Sequence, residues 1–243
     1  MNNQQNRDVT VILPIYNLRK RGLKRVYNSV YSLQKQDCEI IVVDGSNDAQ
    51  YNEMKQLLKG FRVEHYHLPL EEFNKPILLN KGIELADTEY IFCSDADYIF
   101  KHNLINVCKD YRGNNILLHK KVKMLPSVNI TKSRIDKWTF PKCNYNAWGT
   151  LANGAMQYST KQFFLDNPYN EEMSGFGGMD NLTAYMAHKN WVAIVWVDES
   201  EMLHQHHPIE NKMSGSNAIK FKRNQKILAD YIREHNLPTL LMK

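Results

Sequence analysis

No apolar run in the sequence approaches the roughly 20 residues needed to cross a bilayer, and the opening residues, MNNQQNRD, are polar throughout. Signal and transmembrane segments are therefore not expected. The chain reads as soluble and cytoplasmic, with peripheral contact at a membrane face left open. Cysteine is scarce: Cys38, Cys93, Cys108 and Cys143 show neither a CxxC pair nor zinc-like spacing, which argues against a disulfide scaffold or a zinc module and for reduced structural thiols. Internal repeats and low-complexity linkers are missing too, so a solenoid or a string of separable domains is not expected. Nor is there a large charge excess. With 31 Lys and Arg against 26 Asp and Glu the net charge is +5, far from that of a histone-like polycation. The excess sits in one place: residues 119–142 hold seven bases (Lys120, Lys121, Lys123, Lys132, Arg134, Lys137, Lys142) and one acid, Asp136.

At 43% hydrophobic and 23% charged, 243 residues suffice for one sizeable core. Residues 9–16, VTVILPIY, read as a buried parallel strand closed by Asn17. A helical stripe of Leu23, Val26, Val30 and Leu33 follows. Residues 39–44, EIIVVD, form a second strand ending in an acid, followed by a Gly-Ser-Asn-Asp turn and a helix to about Lys59. A third strand is expected over 61–68, a helix over 76–86, and a fourth strand over 90–94, stopping at Asp95 and Asp97. Strands that alternate with helices in this way predict an α/β fold with an open, mostly parallel sheet flanked by helices. Later segments predict a helix over 180–189, a strand over 191–197 and an amphipathic helix over 217–234. After a polar tail over 1–8, residues 9–243 are expected to form a single compact domain with two sub-lobes.

Ligands of such sheets bind at the carboxyl ends of the strands, which makes Tyr16, Asp44, Asp95 and Asp97 neighbours. In Asp95-Ala96-Asp97 the alternation of an extended chain points both carboxylates the same way. Such a pair can hold a hard divalent ion, or simply cap a turn. His204, His206 and His207 offer both HxH and HxxH spacing, and imidazole with carboxylate suits Mn²⁺ better than Mg²⁺; a polar surface loop explains them equally well. The loop Ser174-Gly175-Phe176-Gly177-Gly178-Met179-Asp180 places an aromatic and a carboxylate at a helix start. There Asp180 could take a proton from a hydroxyl or merely favour the helix dipole.

Taken together, VTVILPIYN, IIVVDGSND, FNKPILLN, FCSDAD, GFGGMD and HQHHP resemble a glycosyltransferase of the GT-A fold, of the inverting family 2 type. The later motifs are most similar to the β-1,4-galactosyltransferase and chondroitin-polymerase-like branch. The resemblance implies a UDP-sugar donor, a glycan acceptor and an Mn²⁺ cofactor, with Mg²⁺ as the alternative, and a domain with a nucleotide-binding half over 9–100, an acceptor and catalytic half over 101–243 and a smaller acceptor-side lobe. It implies that Tyr16 packs on the uracil and Asp44 accepts from its imide N–H, with Pro14, Ile15 and Asn17 lining the pocket. Lys75, Asn80, Asp95 and Ala96 would meet the rest of the donor. Asp95 and Asp97 would serve the metal site with His204 and a second histidine, taken as His206, with His207 as the other choice. Asp180 would be the catalytic base, and Phe176, Gly177, Gly178, Met179, Asn181 and Trp148 would face the acceptor. Three positions depart from the branch: Met179 replaces a Glu and Asn181 an Asp, which points to a different acceptor, while Lys75 replaces an Arg, which keeps a positive charge near the donor but loses bidentate geometry.

Three rival readings stand beside this one. The basic segment, with Trp138, Phe140, Tyr145 and Trp148 in or near it, has the look of a nucleic-acid contact, though a Lys-rich lid over the donor explains it as well. A catalytically silent nucleotide-sugar-binding module would account for Met179. A nucleotidyltransferase is disfavoured, because no Gly-rich basic loop precedes the first helix.

Overall fold

The computed structural model describes residues 7–18, 20–119, 122–146, 152–175, 177–197, 202–207 and 215–238. In chain order the elements are β1 (Val9–Ile15), α1 (Lys20–Leu33), β2 (Glu39–Asp44), α2 (Asp48–Leu57), β3 (Glu64–His67), α3 (Lys75–Leu85), β4 (Tyr90–Cys93), β5 (Tyr98–Phe100) and α4 (Leu104–Lys109). They continue with β6 (Asn115–Leu118), β7 (Val122–Met124), α5 (Lys132–Lys137), β8 (Asn144–Asn146), β9 (Gln157–Thr160), α6 (Lys161–Asp166), α7 (Met179–Lys189), β10 (Ala193–Trp196), β11 (Met202–His204) and α8 (Gly215–Glu234).

Seven strands form one sheet in the order β10-β6-β9-β4-β1-β2-β3, parallel except for β9, which runs antiparallel to both neighbours. Strands from both halves of the chain therefore share a single sheet. Every residue of β1 is buried, as the unbroken apolar run requires of a central strand covered on both faces. On one face lies the core of α1, whose Leu23, Val26, Val30 and Leu33 are all 5% exposed or less. Fully burying each such side chain contributes roughly 1.5–3 kcal/mol. On the other face α3, α6, α7 and α8 cover the sheet through Leu78, Leu79, Ile83, Phe164, Leu182 and Leu228. Gly82 brings α3 in close, because a Cβ there would stand 2.4 Å from Ile12 Cγ2.

Two expected strands are shorter than their apolar runs. The 61–68 segment pairs only over Glu64–His67, since Phe61 packs its ring edge-on to Tyr27 at 5.1 Å. The 191–197 segment begins at Ala193 because Trp191, with φ 57°, closes the end of α7 and is 90% exposed. A second, four-stranded sheet of order β5-β11-β7-β8 has no counterpart in the sequence reading. Its three-residue strands are too short to show a period. The described part of the basic segment belongs to this layer: Asp136 of α5 accepts from Tyr31 at 2.9 Å and pairs with Lys35 at 2.7 Å, while Ile135 is buried beside them. Lys120 and Lys121 lie outside the described residues. Among the described residues no helix is long and apolar enough to cross a membrane. All four cysteines are free, and burial pushes the Cys38 and Cys93 thiols up to about 12.

Candidate active site

The carboxyl ends of β1 and β2 are laced together. Gly45 N donates to Ile15 O at 2.9 Å and Asn17 N to Ser46 Oγ at 2.7 Å; Asn17 has φ 41°, a left-handed conformation that Asn tolerates. This fixes Tyr16 beyond the strand end, half-buried, with its hydroxyl donating to Glu71 O at 2.8 Å and its ring 5.8 Å from Phe73. Pro14 and Ile15 are buried strand residues behind it. Asp44, fully buried, accepts from Ser46 N at 2.9 Å and meets His65 Nε2 at 3.0 Å. His65 escaped the sequence reading, as did the sandwich it joins: Tyr51 stacks on His67 at 4.1 Å and tilts against His65 at 4.5 Å. Nothing in the short EHYH run separates these histidines from ordinary strand residues.

At the end of β4 the two aspartates part company. Asp95 N is held by Gly154 O at 2.8 Å, and the Asp95 carboxylate meets Lys75 Nζ at 2.6 Å. Lys75 opens α3 beside its cap Asn74. A cation in that first turn opposes the helix dipole, so its place must be set by other charges. Burial would lower the Lys75 pKa, but Asp180 and Asp95 overturn this and hold the ammonium well above its ordinary range. Asp180 sits in the first turn of α7 after Gly177 and Gly178, both near φ 89°. Its Oδ1 accepts from Gln157 Nε2 at 2.8 Å and lies 3.4 Å from Lys75 Nζ, while its Oδ2 has no hydrogen bond among the described residues. Behind it, the Tyr169 hydroxyl donates to Gln157 Oε1. Gln157 and Tyr169 are further residues that no motif disclosed; they come from an antiparallel strand and a loop without pattern.

Asp97 faces the other way, toward β11. His204 Nε2 and His207 Nε2 stand 3.4 and 3.1 Å from Asp97 Oδ2, and all three ligand atoms lie within 4.8 Å of one another. Such gaps are what bonds of roughly 2.0–2.2 Å to one shared divalent ion require. One further observation fits a cation there: among the described residues Asp97 Oδ1 is buried without a partner. Although burial would raise the Asp97 pKa, hydrogen bonds and charge from His204 and His207 hold it far below the usual carboxylate range. Asp95, expected to share the metal site, is engaged by Lys75 instead.

His207, rather than His206, completes the triad. A strand continuing past His204 would put His206 on the same face, but β11 stops at His204. Gln205 is then drawn inward: its N donates to Asp97 O at 2.9 Å, its amide to Arg25 O at 2.9 Å, and it accepts from Asn28 at 2.9 Å. With Gln205 held inward, His206 is left exposed.

Several expected contact residues serve the frame of the site. Asn80 clamps the following loop, donating to Tyr169 O and accepting from Tyr169 N, both at 2.9 Å. Asn181 is buried and accepts from Ala152 N at 2.9 Å; Met179 is buried in the core beside it. Ala96 O accepts from Ser29 Oγ at 2.9 Å. Helix α8 backs the glycine loop, with Phe221 against Gly177 and Asn224 donating to Ser174 O at 3.0 Å. Phe176 and Trp148 lie outside the described residues.

With this geometry in view, the comparisons are informative. Residues 10–111, from β1 through α4, match the family Glycosyl transferase family 2. No curated protein matches the chain by sequence. Among solved structures, S. aureus TarS is similar at 19% identity and a TM-score of 0.61, over 95% of this chain and 40% of that one. A mannosyltransferase from Pyrobaculum calidifontis, in complex with GDP-Man and Mn²⁺, is similar at 15% identity and a TM-score of 0.63, over 96% and 66%. GalNAc-T7, with UDP, GalNAc and Mn²⁺, gives 14% and 0.63 over 98% and 56%. The chain thus spans from two fifths to two thirds of these structures. The likenesses establish the architecture: this is a mixed α/β chain of the GT-A, Rossmann-like type, family 2-like in its first half.

Proposed function

We propose that this chain is a metal-dependent, inverting glycosyltransferase that moves a hexose or N-acetylhexosamine from a UDP-sugar to a hydroxyl of a glycan or related acceptor. The observation that carries the reading is the division of three aspartates at one sheet edge. Asp97 is committed to two histidines, Asp95 to Lys75, and among the described residues Asp180 keeps one carboxylate oxygen unengaged. In this reading residues 9–243 act as one domain, with the nucleoside held over the ends of β1 and β2 by Tyr16 and Asp44. Structures sharing the fold hold UDP-GlcNAc in TarS 1–349, UDP in GalNAc-T7 and GDP-Man in the mannosyltransferase, which supports a nucleotide-sugar donor; the uridine assignment itself rests on the family resemblance at Tyr16 and Asp44.

The chemistry follows from where charge develops. Asp180 Oδ2 takes the proton of an acceptor hydroxyl as that oxygen bonds to the anomeric carbon. The bond from that carbon to the diphosphate oxygen breaks on the opposite face, so configuration inverts. A Mn²⁺ ion held by Asp97, His204 and His207 would stabilise the charge left on the diphosphate. Gln157 and Lys75 hold the spare oxygen of Asp180, which keeps the reacting one aimed.

The direct test is release of UDP from a panel of UDP-sugars with Mn²⁺ and candidate glycans. Turnover or slow donor hydrolysis that Asp97→Ala abolishes is the expected result. Absence of both, with Asp97→Ala binding donor like the unaltered protein, would overturn the proposal.

A further inference from the structure

The first two turns of α1 line a cleft of about 290 Å³ that none of the roles above uses. Arg21, Lys24 and Arg25 form one wall, Ser127, Asn129 and their neighbours the opposite one, and Gln205, His206 and His207 the end. The cleft is therefore contiguous with the metal triad through His207. Among the described residues no carboxylate lines it.

Its frame is fixed before any ligand arrives. Gln205, 1% exposed, ties the histidine segment to α1 through Asn28, Arg25 O and Ser29. Lys24 Nζ reaches Asn129 Oδ1 at 3.5 Å across the opening. Among the described residues the Arg25 guanidinium, half-buried, has no hydrogen bond or ion pair, and the charge that acts on it is that of Asp97. The placement runs against helix stability as well. Helix α1 has no acid in its first turn and instead carries Lys20 and Arg21 there, where cations oppose the dipole. Three cations gathered on one cleft, whose described lining holds no carboxylate, are complementary to a multiply charged anion. Guanidinium groups in particular match the paired oxygens of a phosphate.

We infer that this cleft is a phosphate-binding site, adjoining the metal triad on the α1 side, that takes a phosphate group of one of the reactants. The inference rests on the proposed glycosyl transfer for its place in the reaction. The phosphate is either part of the nucleoside diphosphate or carried by the acceptor, and the two sources are separable.

The test measures binding of inorganic pyrophosphate and glycerol 3-phosphate by titration calorimetry in EDTA, where the metal triad contributes nothing. It is paired with UDP binding in Mn²⁺, for the unaltered chain, Arg21→Gln/Arg25→Gln and Arg25→Lys. Loss of charged hydrogen bonds should weaken pyrophosphate binding by about tenfold or more in the double variant, with Arg25→Lys recovering part of it and melting temperatures unchanged. A parallel loss for UDP assigns the site to the nucleoside diphosphate. A loss for pyrophosphate and glycerol 3-phosphate with UDP unaffected assigns it to a phosphate on the acceptor. Equal binding by all three proteins, or no pyrophosphate binding by the unaltered chain, overturns the inference. Failure of the glycosyltransferase reading looks different: UDP fails to bind, whatever the pyrophosphate result.

Discussion

The Lys75 ammonium stands 2.6 Å from one oxygen of Asp95 and 3.4 Å from Asp180 Oδ1, so a single buried cation joins the end of β4 to the first turn of α7. Lys75→Met would leave two carboxylates facing each other without a counter-charge. Removing one partner of a fully buried pair costs about 3–5 kcal/mol. Here the Asp95 side chain is 40% exposed, so solvent screening reduces the expected loss to roughly 1–3 kcal/mol. Urea melts should show that loss, with transferase activity falling further than the folded fraction. Unchanged activity in Lys75→Met would mean that the ammonium does not position Asp180.

Gly154 gives the same cluster its room. A Cβ at this position would meet Asp95 Oδ2 at 2.4 Å and Lys75 Nζ at 2.5 Å, distances at which something must move. Gly154→Ala should therefore separate the ion pair, costing about 1–3 kcal/mol as other overpacked sites do. Donor turnover should fall with it. If thermal unfolding and turnover both match those of the unaltered chain, Gly154 does not set the spacing of the Asp95–Lys75 pair.

Much of this arrangement was legible in the sequence because it rests on long-period signals. The runs that became β1, β2 and β4 are apolar enough to declare themselves, and their ends place Tyr16, Asp44, Asp95 and Asp97 along one edge by topology alone. The division of labour between Asp95 and Asp97 was not legible. It depends on β5 and β11, strands of three residues, and on the hydrogen bonds that hold Gln205 inward after His204. Gln157 and Tyr169 were missed for a related reason: β9 enters the sheet antiparallel from a distant part of the chain, and no local spacing reports a long-range pairing. Asn80 and Asn181 show the converse, motif positions whose side chains are taken up by neighbouring backbone groups.

Asp180 and its support can be tested apart. Asp180→Asn keeps an oxygen for Gln157 and loses the base, so kcat should fall by about 10²- to 10⁴-fold with UDP affinity within twofold. Tyr169→Phe removes the hydroxyl that holds Gln157 Oε1 while leaving the ring stacked on Phe164 at 6.0 Å. Its effect should appear in kcat, smaller than that of Asp180→Asn, with KM for the donor unchanged. A Tyr169→Phe defect confined to donor KM would show that the chain of contacts does not run to the base.

The choice between His206 and His207 can be settled without a substrate. An ion that binds the folded chain alone stabilises it by about 2.7 kcal/mol at a hundredfold excess over its Kd, which is roughly 5–10 °C for a chain of this length. Mn²⁺ should raise the melting temperature of the unaltered protein and of His206→Ala by similar amounts, and should do little for Asp97→Ala, His204→Ala or His207→Ala. Acid should act through the same group. The Asp97 carboxyl titrates lower in the folded chain than in the unfolded one. Its contribution to stability is therefore complete above the unfolded pKa, near 4, and is lost as the pH falls through the folded value. The stability gap between the unaltered protein and Asp97→Ala should thus be fully present near pH 5 and close on acidification. A manganese shift that survives His207→Ala and vanishes in His206→Ala would reverse the assignment of the triad.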